Sequence, residues 1–174
     1  VIPEKMVVVC MERSIELLVS ILAIMKAGGC YVPLDPELPV GRLKELIEDT
    51  QPQVILTQAS VSARLPRSSA NEILLVDQEW ETRIDSFSPQ PPEVRIRPEQ
   101  PIYMLYTSGS TGTPKGCINT FQGLMNYMYF ALRRWHITDQ SVGMLKTTIS
   151  FDVSFCEMFG VLMAGGCLVI ARPG

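Results

Sequence analysis

The amino-acid sequence of this 174-residue chain predicts an α/β fold, a mainly parallel sheet flanked by helices. Three observations predict it. The first 57 residues read strand, helix, strand, helix, strand, and a second alternation of the same kind runs from residue 102 to residue 171. Helix-length segments between strands supply the crossovers that parallel pairing requires. Apolar residues make up 47% of the chain and charged residues 19%, the balance of a globular protein.

Residues 6–10 are an apolar β-type run. Residues 14–26 are apolar on most faces and predict a buried helix, ending at Ala27-Gly28-Gly29, where a glycine can take the left-handed cap conformation. A strand over 30–34 is closed by Asp35-Pro36, a helix over 40–50 places Leu43, Leu46 and Ile47 at helical spacing, and 54–57 is a short strand. Residues 58–101 are less regular: a strand at 73–76, then Pro89, Pro91, Pro92, Pro98 and Pro101 marking an extended connection. A strand over 102–106 leads into a Ser/Thr/Gly-rich loop. A strand at 117–120, a helix at 123–135, a strand at 142–147, a helix at 154–164 and a strand at 167–171 follow. Ala164-Gly165-Gly166-Cys167 repeats the letters of Ala27-Gly28-Gly29-Cys30, which predicts one helix-to-strand turn used twice. The expected organisation is a single piece of domain size, divided into 1–57, an irregular connection 58–101, and 102–174.

Composition excludes several function classes. A net charge of −3 with no dense run of Lys and Arg argues against a nucleic-acid partner. Cys10, Cys30, Cys117, Cys156 and Cys167 are odd in number and widely spaced, which predicts buried, reduced thiols of a cytoplasmic protein and neither a disulfide framework nor a zinc site. His136 is the sole histidine, so the chain offers no histidine triad and no multi-histidine metal centre. The apolar stretches fall short of the roughly 20 residues a membrane span needs, and Glu4 and Lys5 ahead of a short apolar run do not read as a secretory leader. Strand-like runs close to both ends suggest a piece of a longer chain.

The sharpest feature is Tyr106-Thr107-Ser108-Gly109-Ser110-Thr111-Gly112-Thr113-Pro114-Lys115-Gly116. Glycines let backbone N–H groups turn toward a ligand, hydroxyls add donors, and the lysine adds a point charge, so the loop suits a polyphosphate. It is no Walker loop. That motif needs Gly-Lys-Ser/Thr, whereas Pro114 precedes Lys115 and Gly116 follows it.

A second informative stretch is Ser150-Phe151-Asp152-Val153-Ser154-Phe155-Cys156-Glu157-Met158-Phe159. Ser154-x-x-Glu157 matches a capping box and predicts a helix with Ser154 as N-cap and Glu157 at its third position. Asp152 is then left ahead of that helix between two apolar residues, a position open to a cap or surface role and to pairing with a cation.

The loop resembles the signature of the adenylate-forming superfamily, which includes acyl- and aryl-CoA ligases, luciferases and the adenylation domains of non-ribosomal peptide synthetases. That resemblance implies part of the large N-terminal domain of such an enzyme. It implies ATP-phosphate contacts from Thr107, Ser108, Gly109, Ser110, Thr111, Gly112 and Lys115, with Lys115 as the catalytic cation. F-D-x-S-x-x-E-x-F is similar to the peptide-synthetase motif whose Asp anchors the amino group. It implies substrate contacts from Asp152, Val153 and Cys156. A-G-G-x-Y-V-P-L-D-P at 27–36 is similar to a further core motif of those domains; its residues read as turn formers without chemistry of their own. Phe121 departs from the pattern, standing where many relatives have His.

The implied reaction is attack of an amino-acid carboxylate on the α-phosphorus of ATP, with Mg2+ and Lys115 stabilising the developing charge. The aminoacyl group then passes to phosphopantetheine on a peptidyl carrier domain, in an assembly line that also holds condensation domains and makes a secondary metabolite. The family's adenine-contacting stretch, ribose-binding Asp and C-terminal catalytic Lys find no match here, and neither does a metal-ligand set, so the 174 residues alone are expected not to turn over ATP. Two other readings compete: an acyl-CoA or aryl-acid ligase of the same superfamily, and a degenerate adenylation domain serving as a scaffold.

Overall fold

A computed structural model describes residues 5–66, 72–108 and 114–172. Strand β1 (Met6–Cys10) leads to helix α1 (Ile15–Lys26), strand β2 (Cys30–Pro33), helix α2 (Val40–Thr50) and strand β3 (Val54–Thr57). A short helix α3 (Ala59–Ser62), strand β4 (Glu72–Leu75) and a π-helical turn (Trp80–Ile84) occupy part of the connection read as irregular. Strands β5 (Pro101–Thr107) and β6 (Lys115–Thr120), helix α4 (Phe121–Arg134) and strand β7 (Val142–Leu145) come next. Helix α5 (Val153–Phe155) runs through a π-helical turn (Cys156–Gly160) into helix α6 (Val161–Met163), and strand β8 (Cys167–Ile170) completes the order.

Six strands form one sheet in the order β4-β3-β1-β2-β5-β6, parallel throughout except for β6, which runs antiparallel to β5. Strands β7 and β8 form a separate parallel pair. The mainly parallel α/β class predicted from the sequence is therefore the one observed. β1 sits between β2 and β3, so the chain leaves it in one direction through α1 and returns to its other side through α2. Crossovers of one hand then put the two helices on opposite faces. The side chains of β1 divide accordingly: Val7 and Val9 pack with Leu17, Ile21 and Ile24 of α1, while Val8 and Cys10 pack with Leu43, Leu46 and Ile47 of α2. α1 is less enclosed than its apolar sequence suggests, because Ile15 stays 70% exposed. The repeated turn is the same in conformation, with Gly28 at φ 73° and Gly165 at φ 82°, both in the region glycine adopts freely.

Two devices fasten the segment between β7 and α5 to the main sheet. The ring of Phe155, fully buried, meets Tyr31 of β2 edge-on at 5.9 Å and Tyr103 of β5 at 4.2 Å. Burying that ring contributes about 2–3 kcal/mol. The second device is polar. Glu157 accepts from the backbone N–H groups of Lys146 and Thr147 and from Thr147 Oγ1, at 2.7–2.8 Å. Arg13 donates to the carbonyls of Lys146, Ala171 and Arg172, tying the end of β1 to the ends of β7 and β8.

The capping-box expectation is corrected here. Helix α5 starts at Val153, Ser154 is already inside it and buried, and Ser154 Oγ donates back to the Phe151 carbonyl at 2.6 Å. Glu157 faces residues 146–147 because their backbone polar groups have no strand partner there and must be satisfied. The reading of all five cysteines as buried thiols is corrected too. Cys10 and Cys30 are buried in the sheet, Cys156 is half-buried, and Cys117 and Cys167 are exposed. Cys117 lies on β6, the strand at the end of the sheet.

Burial raises the Cys10 and Cys30 thiols to about 12, with Asp35 adding to the effect at Cys10. Titration of the native chain with a disulfide reagent should modify Cys117 and Cys167 rapidly and leave Cys10 and Cys30 untouched until denaturant is added; rapid loss of all five thiols would contradict the packing. Burial, the largest single effect on Glu157, raises its pKa, but the hydrogen bonds from Thr147 and Lys146, helped by Arg13, outweigh it and lower the carboxyl below its ordinary range. Ionised Glu157 therefore stabilises the fold above the ordinary carboxylate pKa, and that contribution fades as pH falls through the lowered one. The urea midpoint of the chain should drop more steeply between about pH 5 and pH 3 than that of Glu157→Gln. Parallel curves for the two would show that the carboxylate has no special partners.

Candidate functional site

The hydroxyl-and-glycine loop connects two antiparallel strands whose ends are in register, Thr107 opposite Lys115. Thr107 Oγ1 lies 3.4 Å from the Lys115 carbonyl and 3.8 Å from Cys117 Sγ. Alternation along the strands does the rest. Tyr103, Leu105 and Thr107 share one face of the hairpin with their partners Asn119, Cys117 and Lys115. Met104 and Tyr106 point to the other face, toward α2. There the Tyr106 hydroxyl donates to Asp49 Oδ2 at 2.6 Å and lies 2.9 Å from Thr50 Oγ1, which fixes the end of β5 just before the loop. Burial and the bond to Asp49 push the Tyr106 phenol up to about 12, with Thr50 opposing, so it stays a neutral donor.

Of the residues assigned to phosphate, Thr107, Ser108 and Lys115 are described, and all are exposed. Gly109, Ser110, Thr111 and Gly112 lie outside the described residues. Asp152 sits in the turn that opens α5, exposed, and no cation among the described residues stands within ion-pair distance of it. Burial pushes the Tyr103 phenol up to about 12, and the nearby Asp152 carboxylate adds to the effect. Burial also raises Tyr127, with smaller contributions from Cys156 and Asp152. An uncompensated carboxylate beside two neutral phenols is a place where a cation is stabilised.

The two motifs meet. A cavity of about 600 Å³ is lined by Thr107 and Ser108 at the start of the loop, by Tyr103, Cys117 and Asn119 of the hairpin, and by Ser150, Phe151 and Asp152. Lys115 follows Cys117 and Asn119 in the same row of the hairpin face. A smaller cavity of about 250 Å³, sharing Thr107, Ser108, Ser150 and Phe151, extends to Asp35 and Thr148 at the carboxyl end of β2. Both lie at the carboxyl end of β5, and the smaller one also at that of β2, the side of the sheet on which ligands sit in open α/β folds. Val153 is 48% exposed and Cys156 half-buried; neither lines the 600 Å³ cavity. Phe121, the first residue of α4, packs against the core.

Sequence reasoning missed Arg13, Asp35 and Thr148. Arg13 carries no motif, and the sequence marks Asp35 only as a turn former. It does form that turn, with Oδ1 accepting from the Glu37 N–H at 2.9 Å, but its Oδ2 also accepts from Thr148 Oγ1 at 3.0 Å. Among the described residues no group of three or more His, Cys, Asp or Glu side chains is arranged to hold a metal, and no helix is long and apolar enough to cross a membrane.

Comparison with known proteins gives a consistent result. The family model described as AMP-binding enzyme matches residues 1–174. The chain is 38% identical over 173 residues to the polyketide synthase PksN of Bacillus subtilis strain 168, covering 98% of this chain and 3% of that protein. It is 39% identical over 169 residues to the chondramide synthase cmdD of Chondromyces crocatus, covering 97% of this chain and 4% of that protein. The crystal structure of the nonribosomal peptide synthetase FmoA3 superposes over 100% of this chain and 18% of its own, with a TM-score of 0.89 and 30% identity. The chain thus spans only a few per cent of the length of these two curated relatives. With a family match running from the first residue to the last and a fold shared over its whole length with such a synthetase, the chain belongs to the AMP-binding enzyme family, as part of an adenylation domain of the non-ribosomal peptide synthetase type.

Proposed function

We propose that the chain supplies the phosphate loop and the amine-recognising carboxylate of a domain that activates an amino acid with ATP. The amino-acid carboxylate attacks the α-phosphorus of ATP, the bond to the bridging oxygen breaks, and aminoacyl-AMP and pyrophosphate result. The observation that carries this reading is the shared cavity: Thr107 and Ser108, at the start of the loop, and Asp152 line one space of about 600 Å³. The hydroxyls lining it suit a phosphate, and a carboxylate with no cation paired to it among the described residues suits an ammonium. FmoA3 has been solved in an AMPPNP-bound form and in an alpha-methyl-L-serine-AMP bound form, which supports both halves of the reading.

Each residue has a defined task. Thr107, Ser108, Gly109, Ser110, Thr111 and Gly112 grip the phosphates, and Lys115 offsets charge that builds on them. Asp152 pairs with the substrate amine and rejects acids that lack one. Val153 and Cys156, which do not line that cavity, are assigned to the side-chain pocket on the family resemblance alone. Mg2+ carried with the triphosphate would neutralise part of its charge. The product passes to the phosphopantetheine thiol of a carrier domain, with condensation domains as further partners, in the cytoplasm. The 174 residues do not perform the reaction by themselves.

In the complete adenylation domain, Asp152→Ala should raise the KM for the amino acid by about 30- to 100-fold, the effect of leaving an ammonium without its partner. The KM for ATP should change by less than about twofold. Amino-acid-dependent ATP–pyrophosphate exchange over a panel of amino acids measures both. Unchanged amino-acid dependence would remove the amine-anchor role and leave an acyl- or aryl-acid ligase as the better reading.

A further inference from the structure

Glu157 and Arg13 hold residues 146 and 147, and Phe155 is buried in the core beyond the turn. Between those anchors the chain must still be aimed, and among the described residues one side-chain bond reaches it from the segment that follows β2. Thr148 Oγ1 donates to Asp35 Oδ2 at 3.0 Å, across 113 residues of sequence. The Asp35 carboxylate is itself fixed, since its other oxygen accepts from the Glu37 N–H at 2.9 Å. Thr148 in turn begins the bend that presents Asp152: its carbonyl accepts from the Phe151 N–H at 3.1 Å, and the Asp152 carbonyl accepts from the Phe155 N–H at 3.0 Å. The link runs along the wall of the smaller cavity, which Asp35, Thr148, Thr107 and Ser108 line together.

We propose that Asp35, acting through the Thr148 hydroxyl, is a positioning residue that sets the direction of Asp152 into the cleft. The 27–36 segment then does more than carry the chain from α1 through β2: its one acidic residue, Asp35, reaches from the carboxyl end of β2 to the substrate side of the site. The inference rests on the reading of Asp152 as the amine anchor. A hydrogen bond to a charged acceptor is among the stronger ones, and a charged group displaced by about 1 Å costs a reaction far more than the fold.

The test uses the complete adenylation domain and compares Thr148→Val, Thr148→Ser and Asp152→Ala by ATP–pyrophosphate exchange, with thermal unfolding as a control. Thr148→Val keeps the shape and removes the hydroxyl, while the Asp35 turn stays intact. It should raise the KM for the amino acid roughly tenfold with the KM for ATP changed less than about twofold, and Thr148→Ser should restore the wild-type value. If Thr148→Val does not accumulate as a folded protein, Thr148→Ala removes the hydroxyl without adding a buried methyl and carries the same expectation. Wild-type kinetics in the hydroxyl-free variants, equal effects on both substrates, or failure of Thr148→Ser to rescue would overturn the proposal. Loss of amino-acid recognition in Asp152→Ala with none in Thr148→Val would overturn the positioning role alone. Retained recognition in Asp152→Ala would overturn both.

Discussion

Residues 146–152 have no ladder of their own, and the geometry of the cleft depends on the side chains that hold this stretch against the sheet. Glu157 satisfies two of its N–H groups, Arg13 one of its carbonyls, and Asp35 the hydroxyl of Thr148. These contacts come from three separate parts of the chain: the end of β1, the end of β2 and the π-helical turn after α5. A loop tied from three sides by bonds to charged groups, about 1.5–3 kcal/mol each, has little freedom to swing, and Asp152 at its end inherits that restraint. Buried Phe155 adds apolar burial without direction; the polar contacts supply direction.

The hairpin part of the cleft is set by strand register. Thr107 pairs with Lys115, so both ends of the hydroxyl-rich loop leave the sheet side by side, and alternation turns Thr107, Cys117 and Asn119 toward Asp152. Tyr106, on the other face, anchors that hairpin end to α2 through Asp49. The site is thus assembled where the helices on the two faces of the sheet give way at the carboxyl ends of the strands. This placement explains how phosphate-type and amine-type recognition can share one space although their motifs are separated by the whole of α4 and β7.

Much of this was legible in the sequence because the signals are local. Apolar runs and helical spacing gave the alternation of elements, and Gly28 and Gly165 marked two turns that need positive φ. The loop between Thr107 and Lys115 declared its chemistry through residue types alone. What stayed illegible depends on partners far along the chain. Ser154 and Glu157 fit a capping pattern, yet Glu157 is drawn to backbone groups ten and eleven residues earlier, which have no other partner among the described residues. Asp35 read as a turn former and is one, while its second acceptor serves Thr148. Cys117 read as a core thiol, but its exposure follows from β6 lying at the end of the sheet, which no local pattern encodes.

Cys117 offers a direct way to ask whether phosphates occupy the space that Asp152 faces, since it lines that cavity and lies beside Thr107. The measurement is the rate at which iodoacetamide modifies Cys117 in the complete adenylation domain, with and without a saturating non-hydrolysable ATP analogue. Occupancy of the cleft predicts that the analogue slows the reaction at least about tenfold by excluding the reagent. An unchanged rate, with binding of the analogue verified by calorimetry, would place the nucleotide elsewhere and contradict a single cleft for both substrates.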